Sequence, residues 1–217
     1  MNLVVALGYL AICSTLIGII PILIWRKKLP VPMLWLLLLL LVSFVCDVTS
    51  NALIFLAGAK NNMVVINTYI LLILPSTLPF FYSIYQNKNI RRICMVVFIL
   101  TFITVAISST LIKYSLDFHS LGASVATFGT MIACLLYLTD LAIYSNVSDL
   151  SKDSYIYVVT ALLVSNAALI THFMSYHTIG QEAHNVLWSV KHFSMIIFHF
   201  CIAYTAFTKY KQHRELT

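Results

Sequence analysis

Seven apolar stretches recur along this chain, each about as long as the ~20 helical residues needed to cross a ~30 Å hydrocarbon layer. They cover residues 3–25, 31–57, 63–86, 93–113, 122–145, 154–176 and 187–208. The pattern predicts an all-α polytopic membrane protein: a seven-helix bundle in which residues 1–217 form one domain. The connecting pieces are short, from Arg26–Pro30 to His177–Asn185. They leave no room for a soluble catalytic, kinase or nucleotide-binding domain, so any output passes through the bundle or a partner.

Prolines and small residues refine the spans. Pro30 and Pro32 mark the start of the second, where a proline in the first turn loses no needed hydrogen bond. Pro75 and Pro79 lie deep in the third, where they should bend the helix and free backbone carbonyls, making a candidate hinge or cavity wall. The fifth span carries Gly122, Ala126, Gly129, Ala133, Tyr137 and Asp140 at three- and four-residue steps. Small residues so spaced let helix backbones approach, which predicts a packing seam ending on an interfacial acid, with a partner contact as the alternative.

Composition agrees with the spans: 61% of the 217 residues are hydrophobic and 9% charged, against about 25% charged in soluble domains. A net charge of +6 would suggest nucleic acid in a soluble chain, but here the cations bracket the spans, and no nucleic-acid partner is expected. Arg26, Lys27, Lys28, Lys88, Arg91, Arg92, Lys152, Lys209, Lys211 and Arg214 fall on one side, and Lys60 and Lys113 on the other. The positive-inside rule then puts the N-terminus outside and the C-terminus in the cytosol. The first span lacks a basic n-region and a small-residue cleavage site, so it reads as retained. The sequon Asn146-Val147-Ser148 falls on the cytosolic side, where no glycan is expected. Cys13, Cys46, Cys94, Cys134 and Cys201 all lie within spans without paired spacing, as small buried hydrophobes do.

Lys191 belongs to neither cationic set. It lies inside the last span, where an ammonium is costly unless a partner or a wet cavity receives it. Trp188, Lys191, His192, Met195 and His199 share an arc of about 100° on the seventh helix, and Ser43, Asp47, Ser50 and Asn51 a similar arc on the second. The rise of ~1.5 Å per residue puts Asn51, Lys191 and His192 in the outer third and Asp47 nearer the middle. Asn67 and His172 also fall toward the outside. Asp47, Asn51, Asn67, His172, Trp188, Lys191, His192 and His199 are therefore the candidate ligand-pocket residues. The natural pairing is Asp47 with Lys191, two intramembrane charges of opposite sign; a lysine that snorkels to the outer interface is the structural alternative.

The histidines do not read as a metal site. His192 and His199 are two turns apart, about 10.5 Å along the axis, too far for one zinc ion, and His172 with His177 straddles a span end. A lysine on a seventh helix also suggests a retinal Schiff base. Leu187 stands where an acid would precede Lys191 by one turn, however, and the third span has no Asp, Glu or Arg. No cofactor can be named from the sequence.

Asp47-Val48-Thr49-Ser50-Asn51 ending the second span, Asn67-Thr68-Tyr69 opening the third and Leu187-Trp188 in the seventh together resemble an uncharacterised group of bacterial seven-helix membrane proteins. That group carries an Asn in the seventh span after a His-Ser-like pair, whereas this chain has Lys191-His192 and later His199. The resemblance implies a multi-pass protein of the bacterial inner membrane that works with a membrane or cytosolic signalling partner. The leading expectation is a sensor or receptor-like protein whose outward pocket takes a small or lipidic ligand. The alternatives are an intramembrane enzyme acting on a lipid, with Asp47 and a histidine as acid–base groups and Ser50 as nucleophile, and a small-solute or proton transporter using Asp47, Lys191, His192 and His199.

Overall fold

Each apolar stretch becomes a helix in the computed structural model, which describes residues 3–59, 61–111, 118–144, 153–174 and 180–216. The helices are α1 (Leu3–Trp25), α2 (Val31–Phe55), α3 (Met63–Ile84), α4 (Lys88–Ser109), α5 (Ser120–Tyr144), α6 (Tyr155–Met174) and α7 (Gln181–Leu216). All seven are long and apolar enough to cross a membrane. Lys60, Lys113, Lys152, His177 and the sequon at 146–148 lie outside the described residues.

Two helices outrun their apolar stretches by more than two residues. α4 begins at Lys88 rather than at 93, because Asn87 Oδ1 accepts the backbone N–H groups of Asn89 (2.7 Å) and Ile90 (3.3 Å), so the polar turn is capped into the helix. α7 has 36 residues, about 54 Å at the usual rise, and extends past the apolar run at both ends. Hydropathy marks where hydrocarbon ends, whereas helical hydrogen bonding continues into water.

The helices form a ring in chain order. α1 packs against α2 and α7, each later helix packs on the next, and α3 also reaches α5. Polar contacts between helix ends fix the alternation of direction. His119, just before α5, bonds Asn67 in the second turn of α3 and Ser108 at the end of α4. Tyr137 near the end of α5 donates to Asp153 just before α6 (3.0 Å). The start of α1 therefore shares one end of the bundle, here the N-terminal end, with the end of α2, the start of α3, the end of α4, the start of α5, the end of α6 and the start of α7. The opposite helix ends, with that of α7, make the C-terminal end.

Ile22, Leu36, Leu40, Leu74, Phe80, Phe81 and Ile202 fill the interior, while Ile24, Val45, Leu100, Ile107, Phe193 and Phe207 are exposed on the outer surface. An apolar belt of this kind suits hydrocarbon rather than water. The small-residue stripe of α5 is buried along its whole length. A Cβ on Gly129 would come within 2.7 Å of Thr101 Oγ1 on α4, and one on Gly122 would collide with the His119 ring.

The stripe ends in a polar clasp at the C-terminal end. Buried Asp140 accepts the backbone N–H groups of Gln86 (2.6 Å) and Asn87 (3.1 Å), and so holds the α3–α4 connection against α5. Tyr85 Oη donates to Ala133 O (2.8 Å), and Thr205 Oγ1 on α7 donates to Ser154 O (2.8 Å). The Asp140 and Thr205 bonds supply backbone groups at helix ends and connections with partners that water would otherwise provide, while Tyr85 reaches a buried carbonyl in the middle of α5.

Candidate functional site

The inward face of α7 carries the site. Helical spacing turns Val186, Val190, Phe193, Ile197 and Phe200 outward, which leaves Trp188, Lys191 and His192 facing the bundle at the three- and four-residue steps that bring side chains together. The Trp188 ring gathers its neighbours. Its centroid is 4.6 Å from that of His172 at the end of α6 and 5.4 Å from that of His192, which stacks on it at 22°. Lys191 Nζ lies 4.8 Å from the Trp188 ring centroid, within cation–π range. His172 is buried and meets Phe173 edge-on.

Lys191 and Asp47 are near enough for their charges to act on one another, yet they form no direct ion pair. Among the described residues the only ion pair within 4.0 Å is Lys211–Glu215 on the surface of α7. The direct pairing expected from the sequence is therefore replaced by a cation on an aromatic face. The physical reason is α1, which packs against both α2 and α7. Gly18 lets α1 sit close to Leu40 of α2 and Ile202 of α7, and Gly8 faces the His192 ring, where a Cβ would lie 3.5 Å from Nε2.

Deeper in the bundle, Ser14 Oγ of α1 lies 2.7 Å from His199 Nδ1 and also 2.7 Å from Ala11 O. A hydroxyl has one hydrogen. If it goes to the Ala11 carbonyl, His199 Nδ1 must be the donor, and Nε2 is left as an acceptor. His199 Nε2 and His192 Nδ1 are both buried without a hydrogen-bond partner.

The remaining candidates divide. Asn51 turns back on its own helix, with Nδ2 donating to Asp47 O (2.8 Å). Asn67 is fully buried elsewhere: its Oδ1 accepts the His119 backbone N–H (3.0 Å), and His119 Nε2 lies 2.9 Å from Ser108 Oγ. Asn67 thus ties α3 to the start of α5, and the expected convergence of four polar helices separates into two clusters. Burial holds the His119 imidazole below its ordinary pKa. Ser50 Oγ is engaged by Asn62 Nδ2 and bonds no histidine or carboxylate, which argues against a nucleophile.

Sequence reasoning gave no role in the site to Ser14, Tyr69 or His119. Tyr69 Oη lies 3.2 Å from Ser43 Oγ, joining α2 to α3. Ser14 stood beside Thr15 in an otherwise apolar run with nothing to single it out, and His119 lay outside every apolar stretch. Among the described residues no three His, Cys, Asp or Glu side chains gather as a metal cluster, and all five cysteines are free. A cation lying on an indole, a nearby carboxylate and imidazole nitrogens with unused hydrogen-bonding capacity can together hold a ligand that carries an anionic or hydrogen-bonding group. No protein-family model, curated protein or solved structure matches the chain.

Proposed function

We propose that this chain is a sensor or receptor-like protein of the cell membrane, with its N-terminal end outside and its C-terminus in the cytosol. A small or lipidic ligand with an acidic group binds beside Trp188 and Lys191, and the resulting shift passes to a membrane or cytosolic signalling partner. The observation that carries this reading is the Lys191 ammonium, held on the Trp188 ring without a carboxylate in contact. A cation drawn out of water has a strong demand for an anion. His192 Nδ1, buried without a partner, adds hydrogen-bonding capacity on the adjoining residue, and His199 Nε2 adds it two turns deeper. α7 runs unbroken from this cluster to its exposed last turns around Lys211 and Glu215, a continuous lever between the two ends. The resemblance to bacterial seven-helix proteins supports the same direction.

The test is thermal unfolding of the purified protein against a panel of carboxylates, fatty acids and zwitterions, comparing wild type with Lys191→Met. A carboxylate-bearing ligand should stabilise the wild type and not the variant. Equal stabilisation of both by every acidic compound would remove Lys191 from ligand binding and with it the main support for the reading.

A further inference from the structure

A second site lies at the C-terminal end of the bundle, where α2, α3 and α4 leave a cleft of about 550 Å³. Val31, Trp35, Leu78 and Met95 give it apolar walls, and Tyr82 and Arg91 stand at its polar side. Pro79 also lines it, within the stretch of α3 where two prolines remove backbone donors. The volume is within the range of about 300–1,000 Å³ usual for small-molecule pockets. Val31 and Tyr82 are substantially exposed on the outer face of the bundle, so the cleft opens sideways toward lipid.

Arg91 makes this more than a surface groove. Its guanidinium lies 4.8 Å from the Tyr82 ring centroid, and Nη2 donates to Tyr85 O (2.7 Å), which fixes the plane of the fork. Nε is buried and has no hydrogen-bond partner. Among the described residues no carboxylate pairs with the group: Asp140 commits its two oxygens to the backbone of Gln86 and Asn87 and forms no ion pair with Arg91. A fixed guanidinium with donors to spare matches the oxygens of a phosphate, and the start of α4 beside it adds partial positive charge of the same sign.

We propose that this cleft binds an anionic phospholipid, with the phosphate on Arg91 and one acyl chain along Val31, Trp35, Leu78 and Met95. The apolar walls select a lipid over a free phosphate, because a soluble anion would leave them uncovered. The bundle then carries two ligand sites at opposite ends, and this one does not depend on the reading of Lys191.

The experiment uses the full chain in zwitterionic detergent, with phosphatidylglycerol, phosphatidylcholine and inorganic phosphate added separately. Bound lipid is counted by native mass spectrometry, and thermal stability is followed in parallel. Wild type should retain phosphatidylglycerol at least tenfold better than Arg91→Gln, and Arg92→Gln, which removes an exposed neighbouring charge, should behave as wild type. Met95→Trp fills the acyl part of the cleft while leaving Arg91 in place, and it should also lose the lipid, which keeps the test decisive if Arg91→Gln does not fold. Equal retention by wild type and Met95→Trp would overturn the site. Equal stabilisation by inorganic phosphate, or by phosphatidylcholine, would overturn its assignment to an anionic lipid.

Discussion

Lys191 Nζ rests 4.8 Å from the centre of the Trp188 ring one helical turn before it, and His192 stacks on the same indole. The ring also meets His172 across the α6–α7 contact. Trp188→Leu removes the ring face from all three neighbours and should lower stability by about 1–3 kcal/mol, whereas Trp188→Phe keeps an aromatic face and should lose much less. Thermal unfolding in one detergent decides this. Equal losses for Leu and Phe would mean that only volume matters at this position.

Asp140 holds two backbone donors at the α3–α4 connection. Asp140→Ala strips both from a half-buried connection and should cost about 1–3 kcal/mol, because hydrogen bonds to a carboxylate are strong and the connection loses its tie to α5. Hydrogen exchange at residues 85–88 should rise in the variant more than in α1. An unchanged exchange pattern would show that the connection holds without the carboxylate.

The glycines separate close approach from spare room. Gly129→Ala drives a Cβ to within 2.7 Å of the stiff Thr101 side chain and should destabilise by about 1–3 kcal/mol as α4 is pushed off α5. A Cβ at Gly8 would make ordinary contact with His192 at 3.5 Å, so Gly8→Ala should be neutral or slightly stabilising. Thr101→Ser in the Gly129→Ala background should restore part of the loss. No rescue would locate the strain elsewhere.

His119 supplies a pH dependence. Burial lowers its folded pKa from the ordinary value of 6.5, so between that value and the depressed one the unfolded chain binds a proton that the folded chain refuses. Stability should therefore fall as the pH drops below about 6.5 and be unaffected by this group above it. His119→Gln should flatten the loss of unfolding temperature between pH 7.5 and 5.5 relative to wild type. Identical slopes would mean that other groups carry the acid response.

Much of this architecture is legible from the sequence, because it follows from local partitioning. Span length and apolarity place seven helices, three- and four-residue steps place the α5 stripe in a buried seam, and the arc on α7 brings Trp188, Lys191 and His192 together on one face. Helix ends were less legible: hydropathy stops where hydrocarbon stops, and only the Asn87 cap shows that α4 already includes Lys88.

Contacts between helices lay beyond the sequence, since nothing local states which helices are adjacent or at what axial register. The charges of Lys191 and Asp47 suggested a pair, yet α1 packs against both their helices and the ammonium settles on an indole of its own helix. Asn67 shares a depth with the α7 cluster but bonds the start of α5, and Ser14 acquires its meaning only because α1 brings it to His199. Amphipathic period and span length determined which residues face inward. The packing of α1 against α2 and α7, set by close approach at Gly18 and room at Gly8, decided which of them meet.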